Sequence, residues 1–135
     1  MRCLLMDEKC SDFQTAVDDY LIRHRSILDI MTKYQEASAR VNRAFAKTVT
    51  ECGCVAVNAT RQQAPADIEY SDLKQFMSSH LSGEPCEQCK EVLTKELGHS
   101  LFYLAALCNL SGISLNEVMR RECNTVTTLG FFHLS

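Results

Sequence analysis

Two sets of residues in this sequence have the types and the spacing to do chemistry. In one, Cys52-Gly53-Cys54 is followed further along by Cys86-Glu87-Gln88-Cys89. Thiolates are soft ligands, and a close pair of cysteines is a common half-site for zinc, so two halves suggest a four-cysteine metal or redox site. In the other, Glu51 precedes Cys54 by three residues and Glu96 precedes His99 by three. Residues three apart share a helix face, so each helix offers a two-residue ligand pair. Glu96-x-x-His99 also has the spacing found in di-iron helical bundles. Against both sets stands a plainer alternative, a satisfied polar cluster beside ordinary thiols. A first helical turn lowers the pKa of thiols such as Cys86 and Cys89. A thioredoxin-like role needs a βαβ pattern, and no segment here supplies one.

Helices must position these residues. From Met1 to Cys52 there is neither glycine nor proline, and the absence of the strongest helix breakers favours long helices. Ser11 or Asp12 can cap a first helix running to about Arg25. From Ser26 a second stretch carries Ile27, Met31, Tyr34, Val41, Phe45, Val49, Cys52, Val55 and Ala59 on one amphipathic stripe. Whether Ser26 interrupts the helix is left open by the pattern. Gln62 to Glu69, with Pro65, reads as a loop, and Ser71 caps a short helix through Leu73, Phe76, Met77 and Leu81. Pro85 suits the first turn of a third long helix. Its stripe of Leu93, Leu97, Leu101, Leu104 and Cys108 reads as core, and Gly112 reads as its stop. Ser114-Leu115-Asn116-Glu117 is a capping box opening a last helix through about Cys123. No segment alternates with period two, so a sheet is not expected.

The chain has 135 residues with 46% hydrophobic and 23% charged composition and a net charge of −3. That suits one globular domain over residues 1–135. It gives no electrostatic footprint for nucleic acid, and Arg40, Arg43 and Lys47 read first as a solvated helix face. No apolar run approaches the ~20 residues that span a bilayer. Met1 to Met6 is too short for a signal-peptide core, so the expected compartment is the cytoplasm. There the eight cysteines read as thiols or metal ligands before disulfides. His24, His80 and His133 have no partner by spacing. Phe131 and Phe132 are apolar enough to expect packing on the domain or on a partner.

Two segments resemble the MazG-like nucleotide pyrophosphohydrolases. Lys47-Thr48-Val49-Thr50-Glu51-Cys52-Gly53-Cys54-Val55-Ala56 is similar to the family's "LVEEVGELAE" helix. Glu96-Leu97-Gly98-His99-Ser100-Leu101-Phe102-Tyr103-Leu104-Ala105 is similar to "ELGDVLFYLA", and Gly112 to Val118 to the "GIDLEEV" that follows. The resemblance covers roughly residues 45–60 and 90–125. It implies an all-α antiparallel bundle of four or five helices, assembled as a homodimer or homotetramer, with a possible nucleotide ligand. It also implies a Mg²⁺ site of five acids. Those acids fall on Thr50, Glu51, Cys54, Glu96 and His99, so two of the five are kept. Mg²⁺ wants hard oxygen ligands, whereas Glu51, Cys54, Glu96 and His99 suit Zn²⁺ or Fe²⁺ better, so a bound divalent metal is expected to be Zn, Fe or Mn before Mg.

If the resemblance aligns the two helices, Cys54 lies opposite Glu96. Cys89 is then roughly 10 Å further along at 1.5 Å per residue, and one ion cannot hold both cysteine pairs within one chain. Arg43 and Lys47 are candidate phosphate contacts. The expected function is a non-hydrolytic nucleotide- or metal-binding, regulatory helical oligomer. The alternative is a triphosphate pyrophosphohydrolase working with a metal other than magnesium.

Overall fold

The computed structural model describes residues 7–130; Phe131, Phe132 and His133 lie outside them. The fold is all-α. Four α-helices carry it: α1 (Asp7–Tyr20), α2 (Ile27–Lys47), α3 (Glu87–Ser111) and α4 (Leu115–Leu129). A 3₁₀ segment, Tyr70–Phe76, replaces the short α-helix expected from Ser71. A small sheet is present after all: β1 (Ala56–Val57) pairs antiparallel with β2 (Leu81–Ser82), Ala56 opposite Ser82 and Val57 opposite Leu81. Two-residue strands are too short to leave a period-two signature.

Ser26 does interrupt the helix. Its backbone is extended and its hydroxyl accepts from the Leu28 N–H at 3.3 Å, the N-cap of α2. The first helix stops at Tyr20 rather than Arg25, and Ser11 and Asp12 lie inside it. Arg25 instead reaches back, donating to the Asp18 and Leu21 carbonyls and pairing with the Asp18 carboxylate at 2.9 Å. Its guanidinium thus satisfies carbonyls that the helix end leaves without partners. At the same end of the molecule, where α3 stops, Gly112 adopts φ 67°. The N–H of Ile113 returns to the Cys108 carbonyl at 2.9 Å, the Gly-stopped helix end that the sequence indicates. Ser114 then caps α4 by accepting from the Glu117 N–H at 3.2 Å. The helix runs on to Leu129, beyond the expected end near Cys123.

The main interface is α2 against α3, with α1 packed on α3 and α4 on α1. Val17, Ile30, Ala105, Ala106, Cys108 and Leu115 form the buried core, flanked by Phe13, Leu21, Phe102, Leu104 and Leu107. Gln14 fastens the α3–α4 turn to α1: its amide donates to the Ile113 carbonyl and accepts from the Leu115 N–H, each at 2.8 Å. The expected α3 stripe is only partly core. Leu97 and Leu101 are exposed, because α3 turns its Phe102–Ala105–Ala106 side inward, where small alanines admit the neighbouring helices.

Contacts along α2 and α3 fix their direction and register. Lys33 and Ala37 share a cavity with Tyr103 and His99; Arg40 meets Glu96; Lys47 shares a cavity with Val92. Residue numbers fall on one helix as they rise on the other, so the pair is an antiparallel hairpin. The same register, continued past the end of α2, brings residue 52 to residue 86.

Candidate metal centre

The centre begins where α2 ends. After Lys47 the helix widens into a π-helical turn, Thr48–Cys52, and stops at Gly53, whose φ of 77° is left-handed. Thr48, 1% exposed, is the pivot. Its carbonyl accepts from the Gly53 N–H at 2.9 Å and the Val55 N–H at 3.5 Å, with the Cys54 thiol 3.8 Å away. Its hydroxyl donates to the Phe45 carbonyl at 2.6 Å. This reversal takes Cys54 off the helix and turns its thiol back towards Thr48. The β1–β2 ribbon then returns the chain through Gly83 (φ 83°) to Cys86, the N-cap residue of α3. A Cβ at Gly83 would stand 2.7 Å from the Cys54 carbonyl oxygen, so that position admits only glycine without a shift.

As a result the ligand atoms of Cys52, Cys54, Cys86 and Cys89 all lie within 4.8 Å of one another. Cys52 Sγ is 3.8 Å from Cys86 Sγ. Zinc–sulfur bonds of about 2.3 Å in a tetrahedron put the sulfurs about 3.8 Å apart, so the cluster has the dimensions of a four-thiolate metal site. These four cysteines could hold a metal ion. Cys52 is exposed and the other three are half-buried, a placement that leaves a path from solvent.

The thiols perturb one another strongly. Cys86 is lowered to about 7, first by the backbone N–H of Cys89 and then by the Cys89 and Cys52 thiols. Cys89 is pushed up to about 12, first by the Cys86 thiol and then by burial. Cys52 is raised, chiefly by the Cys54 thiol. The physical source is crowding. The first thiolate is stabilised by neighbouring donors, and each later one adds negative charge to the same small space. A divalent cation is what relieves that charge.

This corrects the expectation that one ion cannot reach both cysteine pairs. That expectation placed Cys54 on a continuing helix opposite Glu96. The chain has already turned at Gly53, and Glu96 faces Arg40, a full eleven residues earlier than Glu51. At 1.5 Å per residue the offset between Glu51 and Glu96 is on the order of 15 Å. The mixed set of Glu51, Cys54, Glu96 and His99 is therefore dispersed. Glu51 is exposed on the π-helical turn, Cys54 belongs with the other cysteines, and Glu96 lies 3.4 Å from Arg40 Nε and 4.0 Å from His99 Nδ1. Among the described residues, the four cysteines are the one group of three or more such ligands that converges.

Arg43 and Lys47 line a cavity of about 300 Å³ between α2 and α3 with Arg40, Val92 and Glu96. A neighbouring cavity of about 210 Å³ is lined by Lys33, Glu36, Arg40, His99 and Tyr103. Arg40 is shared by both and is held between Glu36 at 3.6 Å and Glu96. Cys10 and Cys108 are buried thiols, and burial raises the pKa of Cys108. Cys123 is disulfide-bonded, unlike the thiols expected throughout.

The sequence marks Ser82-Gly83-Glu84-Pro85 as a break between helices, but it assigns neither Gly83 nor Thr48 a part in the centre, which both position without contributing a ligand. For Gly83 the available signal was a glycine three residues before Cys86, matching Gly53 inside the first cysteine pair. Thr48 left no such mark, since its role is carried by a backbone carbonyl. Comparison of the whole chain with known protein families, with characterised proteins and with solved structures found no match.

Proposed function

We propose that this chain is a non-hydrolytic, metal-binding helical protein in which Cys52, Cys54, Cys86 and Cys89 hold one structural zinc ion. The convergence of four sulfur ligands within 4.8 Å carries the reading. Four thiolates favour Zn²⁺ over the harder Mg²⁺, Ca²⁺ or Mn²⁺, and a closed set of four protein ligands leaves no position for substrate. The surroundings supply the need for such an ion. From Gly53 to Pro85 just one side chain, Val55, is buried. A segment with so little apolar burial does not hold itself closed, and a cross-link at its two ends does. Elemental analysis of protein purified without chelator or a metal-affinity tag is expected to give one zinc per chain. Protein that purifies metal-free and gains no zinc on titration would overturn the reading.

A nucleotide ligand is the second reading, favoured by the two cavities that share Arg40. Arg43 and Lys47 offer positive charge there without a carboxylate partner among the described residues. This is the part of the MazG-like resemblance that the side chains still support. Hydrolysis is not part of it, because Glu51 and Glu96 stand too far apart to share a cation. Titration calorimetry with nucleoside triphosphates is expected to give binding that Arg43→Glu weakens. Robust magnesium-dependent pyrophosphate release, lost in Glu51→Gln, would reinstate the enzyme. Exposed Leu97 and Leu101 on α3 fit a homodimer or homotetramer, and light scattering tests that assembly.

A further inference from the structure

We infer that the four-cysteine centre contains a two-thiol oxidation site, at which a hydroperoxide links Cys52 to Cys86 and displaces the metal. The inference rests on the metal-centre reading above and adds a reaction to it. Three observations select this pair. Cys52 Sγ and Cys86 Sγ are 3.8 Å apart across two chain segments separated by 34 positions, and a disulfide needs them to close to about 2.05 Å. Both residues sit at helix ends rather than within a helix body: Cys52 is the last residue of the π-helical turn before the left-handed Gly53, and Cys86 follows Pro85 as the N-cap of α3. Small backbone rotations there can supply the approach, whereas Cys89 is fixed in the first turn of α3. Cys52 is also the exposed member of the four, the one an oxidant reaches first.

The reaction has two steps. The Cys52 thiolate attacks the peroxide oxygen, the O–O bond breaks, and the departing oxygen takes a proton to leave as alcohol or water. Cys52 is now a sulfenic acid. The Cys86 thiolate then attacks the Cys52 sulfur, forming the S–S bond as hydroxide leaves and is protonated to water. Two sulfurs have supplied the two electrons that reduce the peroxide. The metal keeps only the Cys54 and Cys89 thiolates and passes to solvent. The new covalent bond spans the same two segments, so it takes over the clamp that the metal held.

The test uses the zinc-loaded chain and hydrogen peroxide, following metal release with a chromogenic chelator and mapping alkylated peptides by mass spectrometry. Release of one zinc for each Cys52–Cys86 linked peptide is expected, with the helical circular dichroism retained. Cys52→Ser and Cys89→Ser each remove one ligand, but only Cys52→Ser is expected to abolish the link. Should either variant fail to fold, mapping of the unmodified chain decides alone. Linkage of Cys86 to Cys89, or sulfinic acids without a linkage, would overturn the inference. A chain that carries no metal sinks the metal reading separately. The linkage is then sought in the metal-free chain, and its absence there sinks the oxidation site.

Discussion

The two ends of this molecule are held by different forces. At the helical end, Val17, Ile30, Ala105, Ala106 and Leu115 are each no more than 3% exposed, and closely packed apolar area resists water from several helices at once. At the cysteine end, the chain from Gly53 to Pro85 buries Val55 and leaves the rest half-buried or exposed. What orders it is polar and local. The Gln62 amide donates to the Ser78 carbonyl at 2.7 Å and accepts from the Ser78 N–H at 3.0 Å, the Asn58 N–H donates to the His80 carbonyl at 2.8 Å, and a two-residue ribbon joins the strands. A backbone hydrogen bond open to water contributes little net stability, about 0.5–1.5 kcal/mol at most. One end folds by burial; the other has polar contacts and a cluster of four cysteines in place of a core.

Metal removal breaks the comparison most sharply. Structural zinc in small domains is worth about 10–16 kcal/mol of apparent binding free energy, so its loss is expected to open residues 53–85 while the α1–α2–α3 core stays folded. Hydrogen exchange read by mass spectrometry checks this, with Val55, Val57 and Asn58 as reporters. Equal protection with and without chelator would show that the two ends are not held differently. Acidification acts in the same direction, because every thiol must lose its proton to bind metal, so affinity falls as pH falls. Cys86, at about 7, is the first thiol to release its proton, and Cys89, at about 12, holds its proton most tightly against the metal.

A core substitution reverses the pattern. Ile30 is 0% exposed, and Ile30→Ala is expected to cost about 2–5 kcal/mol in chemical denaturation. Zinc content should not change under native conditions. A variant that lost its zinc without unfolding would mean the core and the centre form one cooperative unit.

Gly83→Ala sharpens the comparison from the other side. The added methyl meets the Cys54 carbonyl oxygen at 2.7 Å, and a φ of 83° is strained for alanine, together about 1–3 kcal/mol. The cost should appear as weaker zinc affinity in competition with a chromogenic chelator, while helical content is kept. Gly98→Ala is the control: a Cβ there has nothing within 4 Å, and alanine suits the interior of α3 better than glycine.

The smallest effect belongs to Glu117 in the first turn of α4. Its carboxyl is held at about 2, chiefly by Arg120 and then by Arg121, at 2.6 and 2.8 Å. A carboxyl lowered on folding stabilises above its unfolded pKa of about 4.3 and loses that support as pH falls towards 2. Glu117→Gln is therefore expected to lower the melting temperature slightly at pH 7 and by much less at pH 2. An equal shift at both values would assign the loss to capping rather than charge.

Much of the helical frame could be read from residues alone, because helix signals are local. A glycine-free and proline-free run, Gly112 as a stop and Ser114 with Glu117 as a start act within a turn or two of themselves. The cysteine spacings likewise marked a candidate site, since ligand type is a property of the side chain. What the sequence could not decide was register. Whether Glu96 faces Glu51 or Arg40 depends on how two helices slide along one another, a choice settled by Ala37, Ala44, Ala105 and Ala106 packing across chain distances that no periodicity reports. The fate of Cys54 depended on a turn. The apolar stripe ran on through Val55 to Ala59, and only the reversal at Thr48 and Gly53 took the second cysteine out of that helix. The ligands were written locally, but their convergence is a tertiary fact: four sulfurs meet because a helix end, a ribbon and a helix start were packed into one place.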